Sequence, residues 1–189
     1  MSEGIASHAA EAREVLRSAQ KLHDAQQVSE AYDQMARDIE QRLGDLNPVI
    51  LAVMVGGMIP AAQLLHRLEM PLEIDYIHAT RYRSGLAGHD LEWRIRPNDN
   101  LKDRHVLVVD DILDEGHTLG AIMATVRELG TASVHSAVLV DKVHERRVAG
   151  MQADFSRLKV PDRYVFGCGM DYKGWFRQLP AIYAVAAEI

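Results

Sequence analysis

HVLVVDDILDEGHTLGAIMATVRELG, residues 105–130, writes a strand, an acidic turn and a helix in immediate succession. HVLVV (105–109) is a near-continuous aliphatic run, the kind a parallel sheet buries on both faces. Leu119, Ile122, Met123, Val126 and Leu129 then recur on one helical face, and Gly130 follows as a stop. Between strand and helix, Asp110, Asp111, Asp114 and Glu115 put four carboxylates within six residues, just ahead of Gly116. Like charges this close repel and raise one another's pKa, so the cluster costs stability unless something positive answers it.

The same alternation repeats on both sides. PVILAVMV (48–55) reads as a second buried strand, stopping at Gly56-Gly57, and a helix follows with Pro60 in its first turn and Leu64, Leu65 and Leu68 on its buried side. LEIDYIH (72–78) and SVHSAVLV (133–140) are further strands, the latter ended by Asp141-Lys142. Two helices open the chain; Tyr32, Met35, Ala36, Ile39 and Leu43 mark the buried face of the second, which ends at Gly44. RYRSGLAGHDLEWRIRPNDN (81–100) is polar, with a short LEWRI strand, and reads as a long hairpin or mobile loop. The remainder reads as short strands and loops. Alternating strands and helices imply a doubly wound, mostly parallel α/β sheet with flanking helices, in a single domain over 1–189. Ligands then gather beyond the carboxyl ends of the strands, at the loops after Val55, His78, Val109 and Val140.

The whole composition narrows the class. Aliphatic residues dominate a hydrophobic content of 48%, which suits an α/β core better than a β-sandwich. A net charge of −6 argues against non-specific nucleic-acid binding. The one cysteine, Cys168, excludes an internal disulfide, and the nine histidines show no HExxH or comparable zinc spacing. No signal peptide or membrane-length apolar run is visible, so a cytoplasmic, soluble protein is expected. A dinucleotide-binding Rossmann enzyme is disfavoured because no GxGxxG occurs.

The turn itself has the parts of an anion cradle: Gly116 for close backbone approach, the Thr118 hydroxyl, successive N–H groups and a helix dipole. The upstream carboxylates would repel a bare phosphate, but they suit sugar hydroxyls or Mg²⁺. A phosphorylated sugar bound with Mg²⁺ satisfies all of these elements.

VLVVDDILDEGHTL resembles the phosphoribosyl-pyrophosphate loop of the type I phosphoribosyltransferases: four apolar residues, two acids, two apolar residues, then D-x-G-x-T. MVGG (54–57), RYRSG (81–85), LVDK (139–142) and PDRYVFGCGMDYKGWFRQLP (161–180) fall in the order and spacing of the hypoxanthine-guanine branch. The resemblance runs over about 45–189. It implies a salvage transferase making IMP, and with it GMP, from a 6-oxopurine and phosphoribosyl pyrophosphate. It also implies a small hood, formed by the terminal segments over the base, and a homo-oligomer, dimer or tetramer.

The resemblance assigns roles as well. Asp110 and Asp111 would hold the ribose hydroxyls and Mg²⁺, with Asp171 as a further metal carboxylate. The stretch Asp114, Glu115, Gly116, His117 and Thr118 would wrap the 5′-phosphate. Asp114 matches a proton acceptor at purine N7, and its acidic neighbours predict a raised pKa, which would strengthen a base. Lys142 matches the donor to purine O6, Tyr164 the stacking aromatic, Val165 a backbone reader of the purine edge, and Asp171 lies beside the base. Val55, Gly56 and Gly57 would meet pyrophosphate through N–H groups, with a non-proline cis peptide between Met54 and Val55, and Arg177 would reach it from outside. Arg81 and Tyr82 would root a lid that excludes water.

Three positions depart from the pattern. Glu115 stands where a hydroxyl residue is common, so its side chain is expected to turn away from phosphate; Arg81 and Val55 also differ. Two alternatives share the fold: transfer to xanthine or another base, and an RNA-binding regulator, which would need a basic face that this acidic chain lacks.

Overall fold

The computed structural model of the chain describes residues 2–81 and 91–186. It opens with helix α1 (Ser2–Ser18), a short strand β1 (Gln20–His23) and helix α2 (Ala25–Leu43). The start of α2 is a capping box: Asp24 Oδ1 accepts the Gln27 N–H at 2.9 Å, while Gln27 Oε1 accepts the Asp24 N–H at 2.9 Å. Its buried face carries Tyr32, Met35, Ala36, Ile39 and Leu43, as the periodicity predicts, and Gly44 caps its end.

Then come β2 (Val49–Val53), α3 (Met58–Leu65), β3 (Glu73–Arg81), β4 (Leu91–Ile95) and β5 (His105–Leu113). The chain continues through α4 (His117–Glu128), β6 (Ser133–Val143), β7 (Leu158–Pro161), β8 (Val165–Phe166) and β9 (Ile182–Ala184). Six strands form the main sheet in the order β4-β3-β2-β5-β6-β7, parallel except where β4 pairs antiparallel with β3. The polar stretch 81–100 is therefore a hairpin in part, and its segment 82–90 lies outside the described residues. A small antiparallel sheet, β1-β9-β8, is built from the two terminal segments, where a hood was expected.

Strand alternation divides the core. Leu107 and Val109 pack with Ile50, Ala52 and the apolar faces of α2 and α3. Val106 and Val108 pack on the opposite face with Leu119, Ile122 and Val126 of α4. Helices thus cover both faces, as the doubly wound reading requires. Among the described residues no helix is long and apolar enough to cross a membrane.

Two strands run further than the apolar runs suggested. β5 continues to Leu113 and β6 to Val143, with Asp110 paired to Val138, Ile112 to Val140 and Leu113 to Asp141. On its other side β5 pairs with β2 only as far as Val109, opposite Ala52. Past that point β5 keeps one neighbour and leaves an opening where β2 has ended. From β2 the chain proceeds through α3 to β3 on one side, and from β5 through α4 to β6 on the other. This reversal of strand order is where such sheets form their ligand crevice.

Candidate active site

The opening is a cleft of about 640 Å³, bounded by the loop after β2, the exposed end of β5, Lys142 on β6 and the segment around Tyr164 to Arg177. A second hollow of about 400 Å³ adjoins it, formed by residues 110–119 alone. The two share Asp110, Asp111, Ile112, Asp114 and Thr118. Glu115, Gly116 and His117 line the smaller hollow, which sits on the N-terminus of α4. Gly116 has φ +89°, and a Cβ there would stand 2.5 Å from the Met151 side chain, so both conformation and space require glycine. No side chain caps α4, so its first N–H groups remain available to an anion.

Glu115 has basic neighbours for both oxygens: Oε1 lies 3.6 Å from Arg146 Nε, and Oε2 lies 3.9 Å from His117 Nε2. Arg146 in turn makes a two-pronged contact with Asp162, at 2.5 and 2.9 Å.

Asp114 overturns one expectation. Lys142 Nζ donates to its Oδ2 at 2.6 Å, and His144 Nε2 lies 2.7 Å from its Oδ1. Burial pushes this carboxyl up, but the hydrogen bonds from Lys142 and His144 outweigh it and hold Asp114 below the usual carboxylate range. The raised pKa predicted for Asp114 falls instead on its neighbours. Burial lifts Asp111 to about 6, against the opposing pull of Arg177, whose Nη1 is 3.7 Å from Asp111 Oδ2. Asp110 is raised too, by burial and by the charge of Asp111. Its Oδ1 accepts the Asp111 N–H at 2.9 Å.

The glycines of the loop after β2 have different tasks. At Gly56 a Cβ would lie 2.2 Å from Asp111 Oδ2, so its absence makes room for that carboxylate. Gly57 lies outside the cleft lining, and its N–H donates to Val53 O at 2.7 Å. That donor is already used, so Gly57 does not offer it to pyrophosphate. Val55 and Gly56 do line the cleft, and the Met54–Val55 peptide is cis, as the resemblance implied.

Arg177 and Asp171 are joined to each other across the cleft wall. Arg177 Nη2 donates to Asp171 Oδ1 at 2.5 Å and Nη1 to Gly169 O at 2.5 Å, while Asp171 Oδ2 accepts the Gly174 N–H at 2.6 Å. Asp171 is therefore not part of a three-carboxylate metal cage with Asp110 and Asp111. Among the described residues no group of three or more His, Cys, Asp or Glu side chains is arranged to hold a metal ion.

Tyr164 is half exposed on the cleft and packs edge-on against Tyr172, with centroids 5.6 Å apart; Val165 beside it is buried in β8. The side chain of Arg81 and all of Tyr82 lie outside the described residues.

His144 and Arg147 escaped the reading of the sequence. Arg147 donates to Asp141, to Lys142 O and to the carbonyls of Leu113 and Asp114, tying the acidic turn to the end of β6. The two-residue spacing of Lys142 and His144, which puts both on one side of an extended chain, was the only available signal.

Comparison with known proteins identifies the family. The phosphoribosyl transferase domain family matches residues 18–173. The chain is 30% identical over 168 residues to the hypoxanthine-guanine phosphoribosyltransferase of Streptococcus pneumoniae, covering 88% of this chain and 92% of that one. It is 29% identical over 161 residues to the hypoxanthine-guanine-xanthine phosphoribosyltransferase of Tritrichomonas foetus, covering 85% and 88%. The solved structure of a Bacillus anthracis hypoxanthine-guanine phosphoribosyltransferase superposes with a TM-score of 0.82 at 27% identity, covering 88% of this chain and 98% of that one.

Proposed function

This chain belongs to the phosphoribosyltransferase family, and from that premise we propose that it transfers the 5-phosphoribosyl group of phosphoribosyl pyrophosphate to a 6-oxopurine. Hypoxanthine is the first substrate and guanine the second, giving IMP or GMP and pyrophosphate. The observation that carries this reading is one connected opening on which the uncapped N-terminus of α4, the adjacent carboxylates Asp110 and Asp111, and the Asp114–Lys142 pair all face.

In the reaction the purine N9 forms a bond to C1′ of the ribose as the C1′–O bond to pyrophosphate breaks, its electron pair leaving with pyrophosphate. The 5′-phosphate rests on the N–H groups of residues 114–118 and the Thr118 hydroxyl. Asp110 and Asp111 hold the ribose hydroxyls, and their negative charge favours the positive charge growing at C1′. The purine lies against Tyr164, and Lys142 donates to O6. A purine with an amino group at position 6 offers no acceptor there and sets a donor against the Lys142 ammonium, which makes the discrimination large. Asp114 receives the proton lost from the imidazole ring at N7. Val55 and Gly56, with Arg177, face the departing pyrophosphate.

Mg²⁺ fits this donor set. Asp110 and Asp111 are adjacent acids on the cleft, only partly answered by Arg177. The ion needs no larger protein cage where phosphate and sugar oxygens complete its shell. Asp110 and Asp111 would hold it, and when bound it supplies charge neutralisation for the pyrophosphate. Asp171, tied to Arg177, acts at the rim of the base and pyrophosphate sites instead.

The test is nucleotide formation from phosphoribosyl pyrophosphate and Mg²⁺ with hypoxanthine, guanine, xanthine and adenine in parallel, resolved chromatographically. IMP should form rapidly, GMP measurably and AMP not at all. No product with any base would refute the proposal, and XMP as the main product would move the substrate to xanthine.

A further inference from the structure

His144 lies at the end of β6 with a side chain only 3% exposed, and its two ring nitrogens have separate partners. Nδ1 accepts the backbone N–H of Arg146 at 3.0 Å. The lone pair used there places the ring proton on Nε2, which faces Asp114 Oδ1 at 2.7 Å. His144 is thus a donor aimed at the carboxylate proposed to take the purine proton.

We propose that His144 is the positioning residue for Asp114: it anchors Oδ1 so that Oδ2 is presented to the purine proton. The inference rests on Asp114 being the base, and it adds the group that aims it. The division of labour follows from what each donor must do next. Lys142 holds Oδ2 at 2.6 Å in the free protein, but its ammonium is also the donor that a 6-oxopurine would draw on. As that ammonium turns toward O6, Oδ2 is released to act as acceptor. A carboxylate freed at both oxygens would rotate; one kept by Nε2–H at Oδ1 would not. His144 has a single proton to give and no second task.

The surroundings hold this arrangement together. Arg146, whose N–H fixes the ring, is gripped by Asp162 and lies near Glu115. Arg147 pairs with Asp141 and donates to Asp114 O, so the turn carrying His144 cannot drift from the turn carrying Asp114. With Lys142, these are the charged groups facing the pair. Arg146 and Arg147 have carboxylate partners of their own, which leaves His144 as the donor dedicated to Oδ1. The low carboxyl pKa of Asp114 agrees with two donors on it. With Lys142 drawn to the base, the bond from His144 would keep the carboxylate ionised at neutral pH.

The test compares His144→Asn, His144→Gln and Asp114→Asn with the unaltered protein. Asparagine can still accept the Arg146 N–H but is too short to reach Asp114. Glutamine carries an N–H at about the reach of Nε2. Steady-state kinetics with hypoxanthine would be run from acid to alkaline pH, with KM for phosphoribosyl pyrophosphate as the control. His144→Asn should lower kcat roughly 10- to 100-fold, the scale of a misaligned reacting group, with KM for phosphoribosyl pyrophosphate unchanged. Loss of a hydrogen bond to the charged form raises the carboxyl pKa, so the acid limb of kcat/KM should move to higher pH. His144→Gln should recover most of the rate and return the limb toward its original position. Unaltered turnover and an unmoved acid limb in His144→Asn, with Asp114→Asn nearly inactive, would overturn the role of His144 and leave the base in place. Full turnover in Asp114→Asn would instead remove the base assignment on which the proposal stands.

Discussion

Asp111 sits at about 6 because it is buried on β5 beside Asp110, and the Arg177 guanidinium 3.7 Å away offsets only part of that cost. A carboxyl whose native pKa lies above its unfolded value of 3.8 binds its proton more tightly in the native state. Stability therefore falls as pH rises from 3.8 to about 6, and the penalty stays at its full size above that. Asp111→Asn should raise the melting temperature of the free protein at pH 8, and the gain should vanish below the unfolded pKa. Thermal melts across pH would check this, and a pH-independent difference would contradict it. Lys142→Ala should erode the preference for hypoxanthine over adenine at least tenfold, the scale of one lost donor of about 1.5–3 kcal/mol. The ratio of kcat/KM values measures it; an unchanged ratio means another group reads O6. Both acids were legible in the chain because their clustering is local. The inversion at Asp114 was not: its pKa is held down by Lys142 and His144, about 30 positions away, and no run of sequence displays that pairing.

At the scale of elements, Gly56 and Gly57 look alike in sequence and do different things. Gly57 has φ −66°, which any residue can adopt, so its lack of a side chain concerns space alone. A Cβ there would stand 2.3 Å from Val109 O, where α3 enters against β5. Gly57→Ala should therefore cost about 3 kcal/mol, because the obstacle is backbone rather than a side chain that can move. Denaturant unfolding measures this; a change of a few tenths would mean that α3 can shift freely. Elements whose signal is internal were readable: the buried faces of α2 and α4, and the apolar runs of β2, β5 and β6. β1 was not, because QKLH has no alternation of its own and becomes a strand by pairing with β9. The ends of β5 and β6 were missed for a related reason. Their charged residues read as loop, yet the pairing of Leu113 with Asp141 carries the sheet past them.

Across the whole molecule, the two terminal segments pack against each other. Ala12 of α1 is buried with Phe166 and Tyr172. Glu11 Oε1 accepts from Tyr172 Oη at 2.9 Å and from Lys173 Nζ at 2.7 Å. Tyr172 in turn supports the ring of Tyr164. Removing residues 1–18 should accordingly raise KM for the purine far more than KM for phosphoribosyl pyrophosphate, whose cradle lies in the main sheet. Equal changes in the two constants would indicate general loosening. By itself the sequence determined the α/β alternation, the acidic turn between strand and helix, and the family, because each is written within one short segment as periodicity or motif. Only the tertiary structure decided which oxygens of Asp114 are held, that the Gly57 N–H is spent on Val53 O, that Asp171 pairs with Arg177, and that α1 braces Tyr172 beside Tyr164. Those outcomes depend on charges and surfaces far apart in the chain that only folding brings within a few ångströms.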